Sequence, residues 1–286
     1  MPCRRTFIAS VAALGLAYAV PISSRAQPRL RVDPFKLGVA SGYPTPEGIA
    51  LWTRLAPEPA QPDGGLDPAL IPVRWEIAHD ERFSSIAASG TIAASPEWAH
   101  SIHVDVRGLE PDRWYWYRFT AGDAQSAPAR TRTAPAANAN VEKLRFAFAS
   151  CQQYEQGYYG AYRHILADAP DLVAFLGDYI YESSWGAQHV RKHDRPNEPL
   201  TLDEYRSRHA HYKTDPDLQA AHAACPWILT WDDHEVVNDY ADDRPLDGMP
   251  KEQFLVRRAA AYRAYYEHMP LPPRMRPEGP RMRIYT

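Results

Sequence analysis

Three apolar segments of strand length lie between residues 144 and 232, and their spacing constrains the fold more than any other feature. They are LRFAFAS, DLVAFLGD and CPWILTW, and the first two flank the stretch GYYGAYRHILAD, whose apolar residues have helical spacing. A strand, a helix and a second strand in that order form a βαβ unit, which requires parallel strands. The sequence therefore predicts an α/β domain with a parallel sheet and helices on both faces.

Three further segments have helical patterns. They are LDEYRSRHAHY, DPDLQAAHAA and EQFLVRRAAAYRAYYEH. Asp215-Pro216 is a typical helix start, because the carboxylate caps the helix and proline suits its first turn. We expect Arg257, Arg258 and Arg263 to lie on the solvent face of the last helix.

Residues 36–135 form a different, β-rich part of the chain. The segments IALWTRL, VRWEIAH, SIHVDVRGL and WYWYRFTA are rich in aromatic and β-branched residues and are separated by turn sequences. The piece GLEPDRWYWYRF resembles the corner before a late strand in fibronectin-type sandwiches. At that corner a tyrosine hydroxyl forms a hydrogen bond with the backbone a few residues earlier in the chain. We predict an all-β fibronectin-like or Ig-like sandwich with a structural role; binding of carbohydrate or a partner through exposed aromatic residues is the alternative. The small-residue stretch APAANAN then links it to the α/β part.

The first 26 residues have the features of a signal peptide. A basic start, with Arg4 and Arg5, precedes an apolar run that is too short to span a membrane and a small-residue cleavage site ending at Ala26. The Arg-Arg-Thr-Phe start is similar to twin-arginine signals, which predicts a periplasmic or secreted protein. An uncleaved N-terminal anchor is the alternative. We predict no stable membrane span after removal of the signal, and the net charge of −3 predicts no nucleic-acid-binding surface.

Each of the three strand segments runs into polar residues at its carboxyl end. The first runs into Cys151, the second into Asp178 with Tyr181 three residues later, and the third into Asp232, Asp233 and His234. Binding sites of parallel α/β sheets form outside the carboxyl ends of the strands, so these tips are expected to converge.

These residue types are typical of a metal centre. Carboxylate and phenolate oxygens suit Fe³⁺ or Ca²⁺, and a thiolate suits a transition metal. Asp178, with two carboxylate oxygens, is the natural candidate to bridge two ions. Two cations about 4 Å apart would hold a phosphate and activate water for in-line attack, with His234 contacting the phosphate or protonating the leaving oxygen.

The two cysteines after the signal are not expected to form a disulfide. Cys151 follows a strand, whereas Cys225 precedes one, so a strand length of roughly 20 Å separates them. A disulfide needs Cα atoms within about 7 Å. We therefore predict a buried thiol at Cys225 and a free ligand at Cys151. His189 and His193 have the spacing of a metal pair, but basic neighbours favour a solvated loop.

Nearly the whole chain after the signal resembles the PhoD-type alkaline phosphatases and phosphodiesterases. The resemblance rests on FKLGVASGYPTPEGIALWTRL, FASCQQYEQGYYGAYRHI, PDLVAFLGDYIYE and LDEYRSRHAHYKTDPDLQAAHAACPWILTWDDHEVVND. It implies an N-terminal module over residues 36–135 and the N-terminal part of a metallophosphatase domain over residues 143–286.

The resemblance also implies a metal site and a reaction. Cys151, Asp178 and Tyr181 would hold a ferric ion, and Asp178 and Asp233 a second ion, Ca²⁺. His234 would face the substrate, a phosphate monoester or diester, including a phospholipid headgroup. Asp232 and Asn238 are candidates for contacts to substrate or to the ligands, and helix capping is the alternative for Asn238.

Members of this family continue beyond the point where the sequence stops at RMRIYT. The later part would carry further strands with another Asp and His for both metals, so the α/β domain is expected to be incomplete. A non-catalytic remnant that keeps the binding module is therefore the alternative function. A cysteine-nucleophile hydrolase fits less well, because Cys151 would need a neighbouring histidine as base.

Overall fold

The fold is described from a computed structural model that covers residues 30, 32–186, 188–245 and 248–277. The predicted signal peptide lies outside the described residues. The strands are β1 (Val39–Thr45), β2 (Gly48–Arg54), β3 (Ile71–Ala78), β4 (Ile86–Ala94), β5 (Ser101–Arg107), β6 (Trp114–Ala121), β7 (Ala124–Gln125), β8 (Ala129–Arg132), β9 (Phe146–Ala149), β10 (Leu172–Phe175) and β11 (Trp227–Leu229). The helices are α1 (Ala161–Ala167), α2 (Leu202–Lys213), α3 (Pro216–Ala224) and α4 (Lys251–His268). The βαβ unit and the three later helices are confirmed.

Two sheets organise the molecule. The larger has six strands in the order β5-β2-β1-β11-β10-β9, and the smaller has the order β4-β3-β6-β7 with β8 also paired to β6. Strands β9, β10, β11 and β1 run parallel, whereas β2 and β5 are antiparallel to their neighbours. The predicted parallel pairing of the three strands of the α/β part is confirmed, but the larger sheet is mixed, because three strands of the β-rich part join it.

The β-rich part of the chain and the α/β part share this sheet. Strand β1 pairs with β11 in parallel, with Gly42 opposite Trp227. The two parts of the chain therefore do not form entirely separate sheets. Strand β2 is buried along its whole length, because β5 and β1 pair with its two edges and the layers on either side of the sheet cover its two faces.

Two main apolar cores lie on opposite sides of the six-stranded sheet. One fills the space between the two sheets and includes Leu51 of β2, Val104 of β5 and Tyr117 of β6. The other lies between the sheet and the helices and includes Trp227 and Tyr162. In the described part of the chain, helices cover one face of this sheet, and the five-stranded sheet occupies part of the second face. The expectation of helices on both faces is not met by these residues.

Local features confirm several residue-level predictions. Asp215 caps α3 by accepting the backbone N–H of Asp217 at 3.0 Å. The hydroxyl of Tyr115 accepts the backbone N–H of Glu110 at 2.9 Å, which is the contact expected at the corner before β6. None of the helices in the described part of the chain is both long and apolar enough to cross a membrane.

The prediction for the arginines of α4 is wrong at Arg257, which is 2% exposed. Its guanidinium donates to the hydroxyl of Tyr205 at 2.9 Å and to Glu198 at 3.0 Å. A buried guanidinium is tolerated because these acceptors replace water. Arg258 and Arg263 are partly exposed.

Several histidines are buried in the neutral form. His209 is completely buried, and burial together with the nearby Lys213 and Arg208 lowers its pKa to about 3. Burial likewise lowers the pKa of His103 to about 4. The unfolded chain binds these protons below about pH 6.5, whereas the folded chain does not. Their contribution to stability is therefore complete above pH 6.5 and is lost as the pH falls toward the folded-state values.

We expect His209→Leu to flatten this pH dependence. Between pH 5.5 and 4.5 each such histidine removes about 1.4 kcal/mol of unfolding free energy per pH unit, and the variant should lose that share of the slope. Urea unfolding at several pH values measures it. His164 is exposed, so His164→Gln is the matched control and should leave the slope unchanged. An unchanged slope in His209→Leu would contradict this account.

Candidate metal centre

The loops that follow β9, β10 and β11 converge at one edge of the sheet. The backbone N–H of Cys151 donates to the carbonyl of Gly177 at 3.1 Å, and that of Gln152 donates to the carbonyl of Asp178 at 3.1 Å. The third loop continues alongside, with the N–H of Thr230 bonded to the carbonyl of Phe175 at 3.0 Å. Parallel pairing in register brings the three strand ends together, as the sequence predicted.

Asp178, Asp233 and His234 form the centre of this cluster. Each contributes one oxygen or nitrogen atom, and these atoms all lie within 4.8 Å of one another. Asp178 is buried; its Oδ2 accepts the hydroxyl of Tyr181 at 3.0 Å, while its Oδ1 has no hydrogen-bond partner among the described residues. A buried carboxylate oxygen without a donor is costly unless a cation completes it.

Tyr181 and Cys151 extend the donor set. The ring of Tyr181 lies 4.2 Å from that of His234, centroid to centroid. Burial, the carboxylate of Asp178 and the nearby thiol of Cys151 raise the pKa of Tyr181. The phenol therefore keeps its proton unless a cation replaces it. Cys151 is exposed and Cys225 buried, and neither is in a disulfide, which confirms the prediction for this pair.

At two of the candidate ligands the backbone is in a conformation that residues other than glycine rarely adopt. Cys151 has φ 58° and Asp178 has φ 57°, both in the left-handed region. Such residues cost about 1–3 kcal/mol each and are frequent at functional sites. Gly177 between the loops has φ 108°, and a Cβ there would lie 2.5 Å from the Cβ of Asp232. Glycine is required at this position because the two loops approach so closely.

Glu235 is a residue of the centre that sequence reasoning missed. Its buried carboxylate accepts backbone N–H groups from Asp178 at 3.2 Å, from Asp232 at 2.8 Å and from Tyr179. It therefore joins the loop after β10 to the loop after β11. Burial raises the pKa of Glu235 to about 8, although the three N–H donors oppose this shift. The sequence feature that could have identified Glu235 is its position directly after Asp-Asp-His.

Glu182 is the second residue that was missed. It is 1% exposed, and its Oε2 lies 2.7 Å from Nδ1 of His234. Its Oε1 accepts the backbone N–H of Asn238 at 3.0 Å. Burial disfavours a charged imidazole, but Glu182 and the carboxylates of Asp178 and Asp233 outweigh it and raise the pKa of His234 to about 9. The contact with Glu182 at Nδ1 fixes the orientation of the imidazole ring. Nε2 is the ring nitrogen that does not take part in this contact.

Asp232 and Asn238 lie at the margin of the cluster. Asp232 is outside the set of three residues within ligating distance, and burial and the charges of Asp178 and Asp233 raise its pKa. The side-chain amide of Asn238 donates to Asp239 at 2.9 Å. Asn238 also lines a cavity of about 620 Å³, together with His234.

The segment that carries His189 and His193 is largely exposed, as predicted, but the prediction is wrong for His193, which is buried. His193 is 6% exposed, its Nε2 lies 3.0 Å from the hydroxyl of Tyr212, and its backbone N–H donates to Glu155 at 3.1 Å. Arg191 lies 3.6 Å above the ring of Tyr154. Burial is tolerated because the imidazole is neutral, with its pKa lowered to about 3 mainly by desolvation.

The mixed sheet, the three converging loops and the acidic cluster at their tips define a metallophosphoesterase-like protein. The family profile "PhoD-like phosphatase" matches residues 146–286, and "PhoD-like phosphatase, N-terminal domain" matches residues 21–135. The chain belongs to the PhoD-like phosphatase family.

Two comparisons with known proteins support this membership. The chain is 50% identical over 282 residues to "Alkaline phosphatase D" of Bacillus subtilis (strain 168), covering 95% of this chain and 48% of that protein. A solved structure titled "Structure of PhoD" superimposes with a TM-score of 0.87 at 51% identity, covering 91% of this chain and 50% of that one. The chain thus spans about half the length of these relatives.

Gly177→Ala tests the close approach of the loops. We expect it to lower the free energy of unfolding by at least about 3 kcal/mol, because it combines an unfavourable φ with a clash against Asp232. Gly108 has φ 77°, and a Cβ added there would have no neighbouring atom within 4 Å, so Gly108→Ala should cost only about 1–2 kcal/mol. Urea unfolding measures both. If the two variants lose the same free energy of unfolding, the close approach of the loops at Gly177 contributes nothing measurable, and this account is wrong.

Proposed function

We propose that the protein is a metal-dependent phosphate ester hydrolase that acts by in-line attack of water on phosphate monoesters or diesters. The observation that carries the proposal is the convergence of Asp178, Asp233 and His234 with Tyr181 and Cys151 at one sheet edge. The 50% identity to an alkaline phosphatase D supports the same reaction class.

The residues present fit a pair of cations. The unpartnered Oδ1 of buried Asp178 is the structural reason, since this oxygen lies beside the carboxylate of Asp233 and the imidazole of His234, which are groups that can ligate cations. Cys151, Asp178 and Tyr181 would hold Fe³⁺, and Asp178 and Asp233 would hold Ca²⁺. The ions would neutralise phosphate charge and lower the pKa of a bound water.

His234 supplies the proton chemistry in this proposal. Glu182 holds Nδ1, so the Nε2–H group is free to donate to a phosphate oxygen or to the leaving oxygen. Glu235 contributes by fixing the two ligand loops, because its carboxylate bonds backbone N–H groups from both. Asp232 and Asn238 would support the ligands or contact the substrate.

Two cavities adjoin the cluster and suit the organic part of an ester. One, of about 570 Å³, is lined by Cys151, Tyr158, Tyr181 and Trp185. The other, of about 620 Å³, contains His234 and shares Trp185 with the first. The proposal includes export by the twin-arginine route to the periplasm or the medium, which rests on the N-terminal sequence alone. The non-catalytic remnant is not favoured, because the match to the phosphatase family includes the Asp-Asp-His strand.

Asp178→Asn tests the proposal directly. We expect it to lose bound iron and calcium and to reduce hydrolysis of 4-nitrophenyl phosphate and bis(4-nitrophenyl) phosphate by at least a hundredfold, because a neutral amide binds cations poorly. Elemental analysis and initial rates measure the two effects. Asp67 is exposed, so Asp67→Asn is the matched control. A folded wild-type chain that binds neither metal and hydrolyses neither ester would refute the proposal.

Glu182→Gln tests the positioning of His234. The amide keeps the size of the side chain but removes the charge that faces Nδ1, so we expect kcat to fall about tenfold with little change in KM and in metal content. Glu182→Asp, which restores the charge, should recover part of the rate. A loss of bound metal in Glu182→Gln would instead point to a purely structural role.

A further inference from the structure

A cavity of about 750 Å³ lies between the β-rich part of the chain and the end of α4. Its walls come from the end of β4, the turn at residues 95–98, strand β5, the last turn of α4 and the segment that follows α4. Strand β5 is at the opposite end of the six-stranded sheet from β9. The cavity shares no lining residue with the two cavities beside the metal cluster. It is therefore a separate place where a small molecule could bind.

Aromatic side chains form one wall of this cavity. The imidazole of His103 on β5 stacks on the ring of Tyr266 of α4, with 4.0 Å between the ring centroids. Trp98 meets Tyr266 edge to face, with 5.7 Å between their centroids. The apolar side chains of Ile92 and Pro273 complete the lining near these rings. Walls of this kind suit a flat, apolar part of a ligand.

Two arginines give the cavity a positive charge. Arg274 and Arg276 line it and are exposed, and none of the lining residues carries a carboxylate. The guanidinium of Arg276 lies 3.9 Å from the centroid of the Trp98 ring. Stacking on the indole orients the guanidinium and leaves the N–H groups at its edge for an acceptor. A planar group held in this way suits a carboxylate, which can accept two parallel hydrogen bonds from it.

Three buried polar atoms of the lining residues have no hydrogen-bond partner among the described residues. They are Nε1 of Trp98, Oγ of Ser101 and Nε2 of His103. Nδ1 of His103 lies 2.9 Å from the carbonyl oxygen of Leu271, so Nδ1 carries the proton and Nε2 of the neutral ring can only accept. Burial keeps the ring neutral by lowering the pKa of His103 to about 4. Because unpaired buried groups are costly, this end of the cavity favours a ligand that brings a hydroxyl group.

We propose that this cavity binds an aromatic hydroxy acid, a flat ring system with a carboxylate at one end and a hydroxyl at the other. The carboxylate accepts hydrogen bonds from Arg274 and Arg276, and the ring lies against the aromatic wall. The hydroxyl donates to Nε2 of His103 and accepts from the hydroxyl of Ser101. The bound acid contacts both β5 and α4, and its binding does not depend on the proposed hydrolase activity.

Isothermal titration calorimetry of the full chain with 6-hydroxy-2-naphthoate tests the proposal. We expect saturable 1:1 binding with a Kd of about 0.1 mM, as is usual for a ligand of this size. Two analogues each remove one feature of the acid. Because 2-naphthoate lacks the hydroxyl and 6-hydroxy-2-naphthamide lacks the charge, each should bind about tenfold more weakly.

Variants of the chain locate the bound acid. Arg276→Gln should weaken binding of the acid about tenfold and leave binding of the amide unchanged, because only the acid uses the guanidinium charge. His103→Phe keeps an aromatic ring against Tyr266 but removes the acceptor, so the hydroxy acid and 2-naphthoate should then bind equally well. Arg82 is exposed, so Arg82→Gln is the matched control and should bind as wild type. Asp178→Asn should also bind the acid as wild type does.

Four results would overturn the proposal. The first is that a folded wild-type chain shows no saturable binding of the acid. The second is equal affinity for the acid and the amide, and the third is the same loss in Arg82→Gln as in Arg276→Gln, since either would mean a nonspecific attraction. The fourth is loss of binding in Asp178→Asn, which would place the acid at the metal centre. If His103→Phe does not fold, the comparison of the acid with 2-naphthoate on the wild-type chain decides the role of the hydroxyl.

Discussion

The carboxylate of Glu235 is the interaction on which the candidate site depends. It is buried, and it accepts N–H groups from the loop that carries Asp178 and from the loop that carries Asp232. Without this acceptor, the buried backbone N–H groups of Asp178 and Tyr179 would lose their partner, each at a cost of about 1–3 kcal/mol. The close contact of Gly177 with Asp232 is possible because these bonds hold the loops together. The relative positions of the candidate ligands thus depend on one side chain that lies outside the group of Asp178, Asp233 and His234.

A second buried glutamate positions the imidazole of His234 in a similar way. Glu182 ends the segment that contains Asp178 and Tyr181, and it reaches His234 in the next loop. Each ligand loop therefore supplies a glutamate that organises the other: Glu182 comes from the loop after β10, and Glu235 from the loop after β11. This reciprocal arrangement explains how two short loops hold backbone conformations as unfavourable as φ 57° at Asp178.

The sequence predicted the strands and helices of the α/β part, the free cysteines and the convergence of three strand tips, because apolar periodicity and strand polarity are local properties. It did not predict that β1 pairs with β11, because the residues of β1, VASGYPT, do not specify which strand lies beside them. Glu182 and Glu235 were missed because an isolated glutamate reads as a surface residue. Their roles depend on which backbone groups surround them after folding. Arg257 was missed for the same reason, because its acceptors come from other elements.

The pairing of β1 with β11 also affects the order in which the chain can fold. Gly42 has its neighbour at Trp227, so the centre of the six-stranded sheet forms only when most of the sequence is available. Contacts so distant along the chain slow folding, because the closure of a long loop precedes any gain from pairing. During synthesis, β1 and β2 would expose one apolar flank until β11 emerges from the ribosome. The central pairing of the sheet is therefore among the last contacts that the chain can form as it is synthesised.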